Sequence, residues 1–267
     1  MERSMLRRIS KPALILVAAF ILGTCSTSPT GRSQVLILGD DEMNEMGAEA
    51  FAEIKKQTPI ERDPRINAYV NCIAEAILAV TEDDTGVTSW ETVVFRDNSA
   101  NAFALPGGKI GVHTGILPVA KNADQLASVM GHEVGHVIAR HGNERVSQNA
   151  GIQAVVGAVG GVTGNETVAG AIGAGAQFGV LLPFSRAHES EADVIGQQLM
   201  ARAGFNPQGA IDLWKNMAAL SDGAPPEFMS THPSHDTRIK DLESKLPENM
   251  LLYEQAKASG RNPNCRL

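Results

Sequence analysis

Three cysteines in 267 residues are too few for a disulfide scaffold. Basic residues are short as well: 23 Lys and Arg stand against 30 Asp and Glu, a formal net charge of -7, with no basic run. Phosphate neutralisation dominates nucleic-acid affinity, so no nucleic-acid partner is expected. Aromatics make up only 4% of the chain, and no segment repeats at a fixed period. Long hydrophobic runs are missing too. The apolar stretch from Ala13 to Leu22 is ten residues long, whereas a spanning helix needs ~20. What remains is 43% apolar and 20% charged. That is enough to bury a sizeable core and excludes a wholly disordered chain. The length allows one or two domains.

The N-terminus has the pattern of a secretory signal. Arg3, Arg7, Arg8 and Lys11 precede the apolar run, and Gly23, Thr24 and Cys25 follow it. Leu22-Gly23-Thr24-Cys25 resembles a bacterial lipobox, with Thr24 where Gly, Ala or Ser is preferred. The expectation is a signal over residues 1–24, a lipidated Cys25, and a polar tether to residue 39. Loss of residues 1–24 removes four basic residues and Glu2, leaving 19 basic against 29 acidic and a charge of -10. Outside the cytoplasm thiols can oxidise. Cys72 and Cys265 then either pair, tying the C-terminal tail to an early helix, or stay apart; sequence does not fix connectivity.

Residues 40–267 read as one domain. Residues 40–57 and Pro64 to about Val80 have helical patterns. Residues 90–95, 101–105 and 109–113 read as strands, the last two joined by Pro106-Gly107-Gly108. A helix capped by Asn122 or Asp124 should carry Gln125 to His141. Residues 146–185 hold one charge, Glu166, and nine glycines between Gly151 and Gly179; they read as a Gly/Ala-rich hairpin at about 146–182. Further helices are expected from Ser185 to Gly204, from Pro207 to Leu220, and from near Asp236 to just before Pro247. The fold class is α+β, mainly helical, with a small, mostly antiparallel sheet packed on the metal-binding helix.

The chemistry concentrates at His132-Glu133-Val134-Gly135-His136. Residues four apart share a helix face, so both imidazoles can reach one ion. Glu133 lies beside them as a general base toward water. This is the zinc-protease helix pattern. Two histidines alone on a surface helix would mean little, and a catalytic site needs a third protein ligand. Glu189, Glu191 and Asp193 are the candidates. Glu189 and Asp193 are four apart and share a face, whereas Glu191 points elsewhere. Glu189 then fits the third ligand, and Asp193 a carboxylate that orients a ligand histidine. Of the other histidines, His113 reads as a packed or exposed strand residue, His141 as a contact at the helix end, and His188 as facing away from Glu189.

Several segments together resemble the gluzincin metallopeptidases of the CAAX prenyl protease and HtpX heat-shock type. They are Asn101 to Ile110, the His132 motif with Arg140-His141, Ser185-Arg186 leading to Glu189-Ser190-Glu191-Ala192-Asp193, and Thr231-His232-Pro233 with Arg238. They span residues 35 to 245 in the family's order. Thr30-Gly31-Arg32-Ser33-Gln34 is similar to the bacterial lipoprotein branch, which is related to the mitochondrial inner-membrane stress protease. The resemblance implies Glu189 as the zinc ligand and one Zn2+ per chain. It also implies that His232 and Arg238 sit on a loop reaching back to the cleft. There they would stabilise a developing oxyanion, and in some relatives the histidine caps the resting zinc. His235, in the same loop, ranks well below His232. Asn101, Ala102, Phe103 and Ala104 would be the edge strand that binds an extended substrate.

The expected activity is zinc-dependent hydrolysis of peptide bonds in unfolded or misassembled envelope proteins. Zinc lowers the pKa of bound water toward ~7. Glu133 takes the water's proton and passes it to the leaving amine. The expected place is the periplasmic face of a bacterial membrane, outer favoured over inner, anchored through Cys25. Prenyl-peptide specificity is unsupported, because the multi-span relatives' membrane helices are missing after residue 25. A non-catalytic chaperone on the same fold is the main rival, and the intact Glu133 argues against it. A zinc-storage lipoprotein would need short Cys or His tracts, and there are none.

Overall fold

The structure is a computed structural model that describes residues 25–159, 184–219, 227–232 and 237–267. The expected signal, most of the Gly/Ala-rich segment and His235 lie outside these residues. Two strands, β1 (Cys25–Thr27) and β2 (Ser33–Val35), pair antiparallel. The helices α1 (Asp40–Gln57) and α2 (Pro64–Leu78) follow. Asp63 opens α2 by accepting from the Arg65 N–H, with Pro64 in the first turn.

Next come β3 (Glu91–Phe95), β4 (Ala102–Leu105) and β5 (Lys109–His113). They form one sheet in the order β3-β5-β4, in which β5 runs parallel to β3 and antiparallel to β4. Two of the three strand pairings in the described residues are therefore antiparallel. β4 is an edge strand and packs on the next helix, α3 (Ala123–Ile138). Asn122 caps α3 by accepting from the Gln125 N–H.

α3 is the axis of the fold. Every residue from Gln125 to Ile138 is buried, as expected of a helix surrounded on all sides. Leu126, Met130 and Val134 join a core that includes Ile73, Val112 and Leu199. α5 (Arg186–Arg202) lies against α3, with α6 (Gln208–Ala219) beside it and a short α7 (Glu227–Thr231) beyond. Ser185 caps α5 by accepting from the His188 N–H, and Gly204 ends it at φ +91. The last helix, α8 (Arg238–Ala258), packs along α5 and α6.

Three expectations need correction. The helix of the histidine motif stops at Ile138 rather than reaching His141. Arg140 takes a φ of 55 and His141 begins a new helix, α4 (His141–Val159). Arg140 holds this uncommon conformation with its guanidinium on Asp40 and Asp84. The Gly/Ala-rich segment therefore begins as the continuation of α4 through Val159. α8 runs through Pro247 instead of ending before it. A proline inside a helix costs about 3 kcal/mol. Burial of Leu242, Asn249 and Ala256 against the body offsets this, and Asn249 donates to Gln197 at 2.8 Å. Lastly, the segment expected as a tether is folded: β1 and β2 form a hairpin whose Gln34 is buried against the body. Cys72 and Cys265 are joined in a disulfide that ties the C-terminal tail to α2.

Candidate metal centre

His132 and His136 lie one turn apart on α3, and Glu189 lies in the first turn of α5. Their approach depends on a close crossing of the two helices. Gly131 and Gly196 meet there, and a Cβ on Gly131 would stand 2.8 Å from the Gly196 carbonyl oxygen. His232, just after α7, completes the cluster. One ligand atom from each of His132, His136, Glu189 and His232 lies within 4.8 Å of the others, and all four residues are buried.

The donor set fits a cation. His132 Nδ1 faces Asp193 Oδ1 at 2.9 Å and so donates its proton there, leaving Nε2 as a lone pair. That lone pair sits 3.0 Å from His136 Nε2 and 3.2 Å from His232 Nδ1. Glu189 adds negative charge, 3.4 Å from His136 and 3.0 Å from His232. Such a convergence of nitrogen lone pairs and a carboxylate on one point is what a divalent transition ion requires. Burial alone would neutralise Glu189, but its contacts with the three histidines hold it well below the usual carboxylate range. Burial works against the charged form of His132, yet Asp193 and Glu189 outweigh it and push its pKa up to about 9, so a cation takes up the Nε2 lone pair by displacing a proton from it. His136 is driven well below its ordinary value by burial.

Glu133 is held differently. Its Oε2 accepts the Ala104 N–H of the edge strand at 3.1 Å. Its Oε1 is buried, has no hydrogen-bond partner among the described residues, and lies 3.3 Å from His232 Nε2. Burial raises the pKa of this carboxyl above the usual value.

The expected substrate strand is β4 with the residue before it. The Asn101 carbonyl accepts from His113 N–H, so by alternation the backbone groups of Ala102 and Ala104 point outward from the sheet. Phe103 is turned away. Its ring stacks on Phe95 and covers Gly111. Asn101 is buried and donates to Glu227 at 3.4 Å. Beside Ala104 and His136 lies a cleft lined by Met43, Met46, Ala50, Leu105 and Phe184 among others. The Phe184 ring stacks on His136, with centroids 3.9 Å apart.

Arg238 does not occupy the place expected for an oxyanion donor. It is 1% exposed, with Nε and Nη2 donating to Asp193 at 2.6 Å each and Nη1 to Glu189. With its fork spent on these carboxylates, it holds the Asp193 and Glu189 side chains rather than facing the cleft.

Sequence reasoning missed the far side of His136. His141, read as a helix-end contact, is completely buried and meets His136 Nδ1 at 2.8 Å. Glu191, on the other face of α5, holds His141 at 3.1 Å. His188 stacks on His141 and meets Glu144 at 3.1 Å. His113 is buried and meets Ser99 Oγ at 2.7 Å. The adjacency of His141 to Arg140 is the sequence signal for it, but the helix break that aims it inward rests on the tertiary contact of Arg140 with Asp40.

The sequence profile of peptidase family M48 matches residues 61–246. The chain belongs to this family. The mitochondrial metalloendopeptidase OMA1 of Schizosaccharomyces pombe is 39% identical over 195 residues, covering 70% of this chain and 55% of that protein. OMA1 of Arabidopsis thaliana is 31% identical over 242 residues, 89% of this chain and 47% of that protein. The beta-barrel assembly-enhancing protease of Escherichia coli K12 is 28% identical over 265 residues, 90% of this chain and 53% of that protein. The chain thus spans about half the length of these curated relatives. Among the described residues of this M48 chain, no helix is long and apolar enough to cross a membrane.

Proposed function

We propose that this chain is a zinc-dependent endopeptidase acting on unfolded or misassembled proteins of the bacterial cell envelope. The observation that carries the reading is the split environment of Glu133: one oxygen is fixed by the edge-strand N–H, and the other faces the ligand cluster without a hydrogen bond. Family membership and the names of the relatives, metalloendopeptidase and beta-barrel assembly-enhancing protease, support it.

In this reading His132, His136 and Glu189 hold one zinc ion. When bound, the zinc polarises the scissile carbonyl and acidifies the attacking water. Ala102 and Ala104 bind the substrate backbone as an added strand. Such pairing reads main chain rather than sequence, which suits unfolded substrates, and the apolar cleft beside Ala104 takes their side chains. Glu133 Oε1 accepts the water's proton and delivers it to the leaving nitrogen. Asp193 fixes the tautomer of His132, and Arg238 holds Asp193 and Glu189 in place.

His232 is here the fourth donor of the cluster. It therefore swings aside for substrate and then offers its imidazole to the developing oxyanion. We place the protein at the periplasmic face of a membrane, outer rather than inner, through a lipid on Cys25. The test of the catalytic reading is Glu133→Gln. The parent should cleave an unfolded protein and the variant should not, at equal metal content. Equal cleavage by both would contradict the role of Glu133. Binding of unfolded chains with no cleavage by either, even after His232→Ala, would favour a chaperone.

A further inference from the structure

The two ligand histidines of α3 are oriented in different ways. His132 donates directly to a carboxylate, Asp193. Among the described residues His136 meets no carboxylate at its outer nitrogen; its Nδ1 lies 2.8 Å from Nδ1 of another histidine, His141. Two imidazole nitrogens can share only one proton, so one must donate and the other accept. What lies beyond His141 decides which. His141 Nε2 is 3.1 Å from Glu191 Oε2. A carboxylate accepts only, so His141 carries its proton on Nε2 and presents a lone pair at Nδ1. His136 must then carry its own proton on Nδ1, which frees Nε2 toward Glu189 and His132.

Glu191 is itself held from the N-terminal hairpin. Arg32 Nε donates to its Oε2 at 2.9 Å and Thr30 Oγ1 to its Oε1 at 2.6 Å. The same guanidinium makes two bonds to Glu144, at 2.6 and 2.7 Å. Gln34 donates to the Ala139 carbonyl, at the break between α3 and α4. The segment that the sequence presents as a tether thus grips both ends of the support behind His136. It lies before residue 61, where the family match begins.

We propose that Glu191 and His141 are positioning residues that set the tautomer of His136, and that the Cys25–Val35 hairpin is an integral part of the metal centre through Arg32 and Thr30. This rests on the reading of His136 as a metal ligand. It has a sharp consequence. Glu191→Gln keeps size and shape but removes the charge: Arg32 Nε donates to the same oxygen that faces His141, so the amide turns its carbonyl there and becomes a weaker, neutral acceptor. His141 then holds its proton on Nε2 less firmly, and the His136 proton is less strictly kept from the nitrogen that faces the ion.

The experiment measures zinc affinity of the purified full chain by competition with a chelator, alongside the unfolding temperature of the metal-free protein. For Glu191→Gln the expected result is about 10- to 100-fold weaker zinc binding, the range seen on losing the partner of a ligand histidine. The metal-free unfolding temperature should stay close to the parent's. Visible absorption of the cobalt-loaded proteins should differ between the two, because ligand geometry changes. Equal zinc affinity would overturn the proposal alone, while a parent that takes up no zinc would overturn the metal reading with it. Should Glu191→Gln fail to fold, the half-buried hairpin supplies Arg32→Gln combined with Thr30→Val. Weaker zinc binding by that variant supports the proposal, and unchanged binding overturns it.

Discussion

Gly196 of α5 stands directly behind His132 of α3: a Cβ on Gly196 would lie 2.6 Å from the His132 backbone nitrogen. The helices that carry His132 and Glu189 therefore touch backbone to backbone. Glu189, seven residues before Gly196, is carried into reach of both histidines by this contact. Gly196→Ala should push the helices apart. Overpacking of this kind costs about 1–3 kcal/mol, and zinc affinity should fall along with stability. Chemical denaturation and chelator competition on the same sample check it. A variant of parental stability would show that the helices do not meet here.

Arg238 binds two buried carboxylates and lies over the Trp214 ring at 3.8 Å. Arg238→Ala should destabilise the protein by about 3–5 kcal/mol, because removing one partner strands buried charge. Arg238→Lys should restore little of this, since an ammonium cannot bridge Asp193 and Glu189 as a fork. Denaturant unfolding of the three proteins measures both. An Arg238→Ala protein of parental stability but low activity would return Arg238 to the oxyanion.

His113 gives a pH prediction. Burial lowers its pKa from the ordinary 6.5, against the pull of Asp97 and Glu227. The unfolded chain then binds this proton more readily than the folded one. Its contribution to stability is complete above about pH 6.5 and is lost as the pH falls from there through the lowered folded value. His113→Gln should flatten the pH dependence of stability in that window, by at most one proton. Unfolding free energies from pH 7.5 to 4.5 provide the test, and parallel curves for the two proteins would contradict it.

The disulfide between Cys72 and Cys265 closes a separation of 193 residues. Replacing both with serine should cost about 2–4 kcal/mol, largely by freeing the unfolded chain. Thermal unfolding with and without reductant should show the parent, but not the double variant, shifting on reduction.

Much of the site was legible because it lies on regular elements. The four-residue spacings His132 to His136 and Glu189 to Asp193 are properties of a helix face, and the structure brings all four residues together. The strands flanking Pro106-Gly107-Gly108 were readable from turn chemistry, and both glycines take positive φ. What escaped depends on tertiary context. The break at Arg140 needs Asp40, a hundred residues away, to hold a left-handed backbone. Without that break His141 points outward and Glu191 looks like a solvated carboxylate. Residues 26–34 have the composition of a tether, and only the facing charges of Glu144 and Glu191 make Arg32 an anchor. Proline predicts a helix end at Pro247 locally, and the packing of α8 overrides it.

The most direct test of the account is metal content joined to cleavage in one preparation. The purified parent should carry close to one zinc per chain and cleave an unfolded protein. A chelator should abolish cleavage, and added zinc should restore it. A folded protein that neither contains zinc nor takes it up would contradict the metal centre at the heart of this reading.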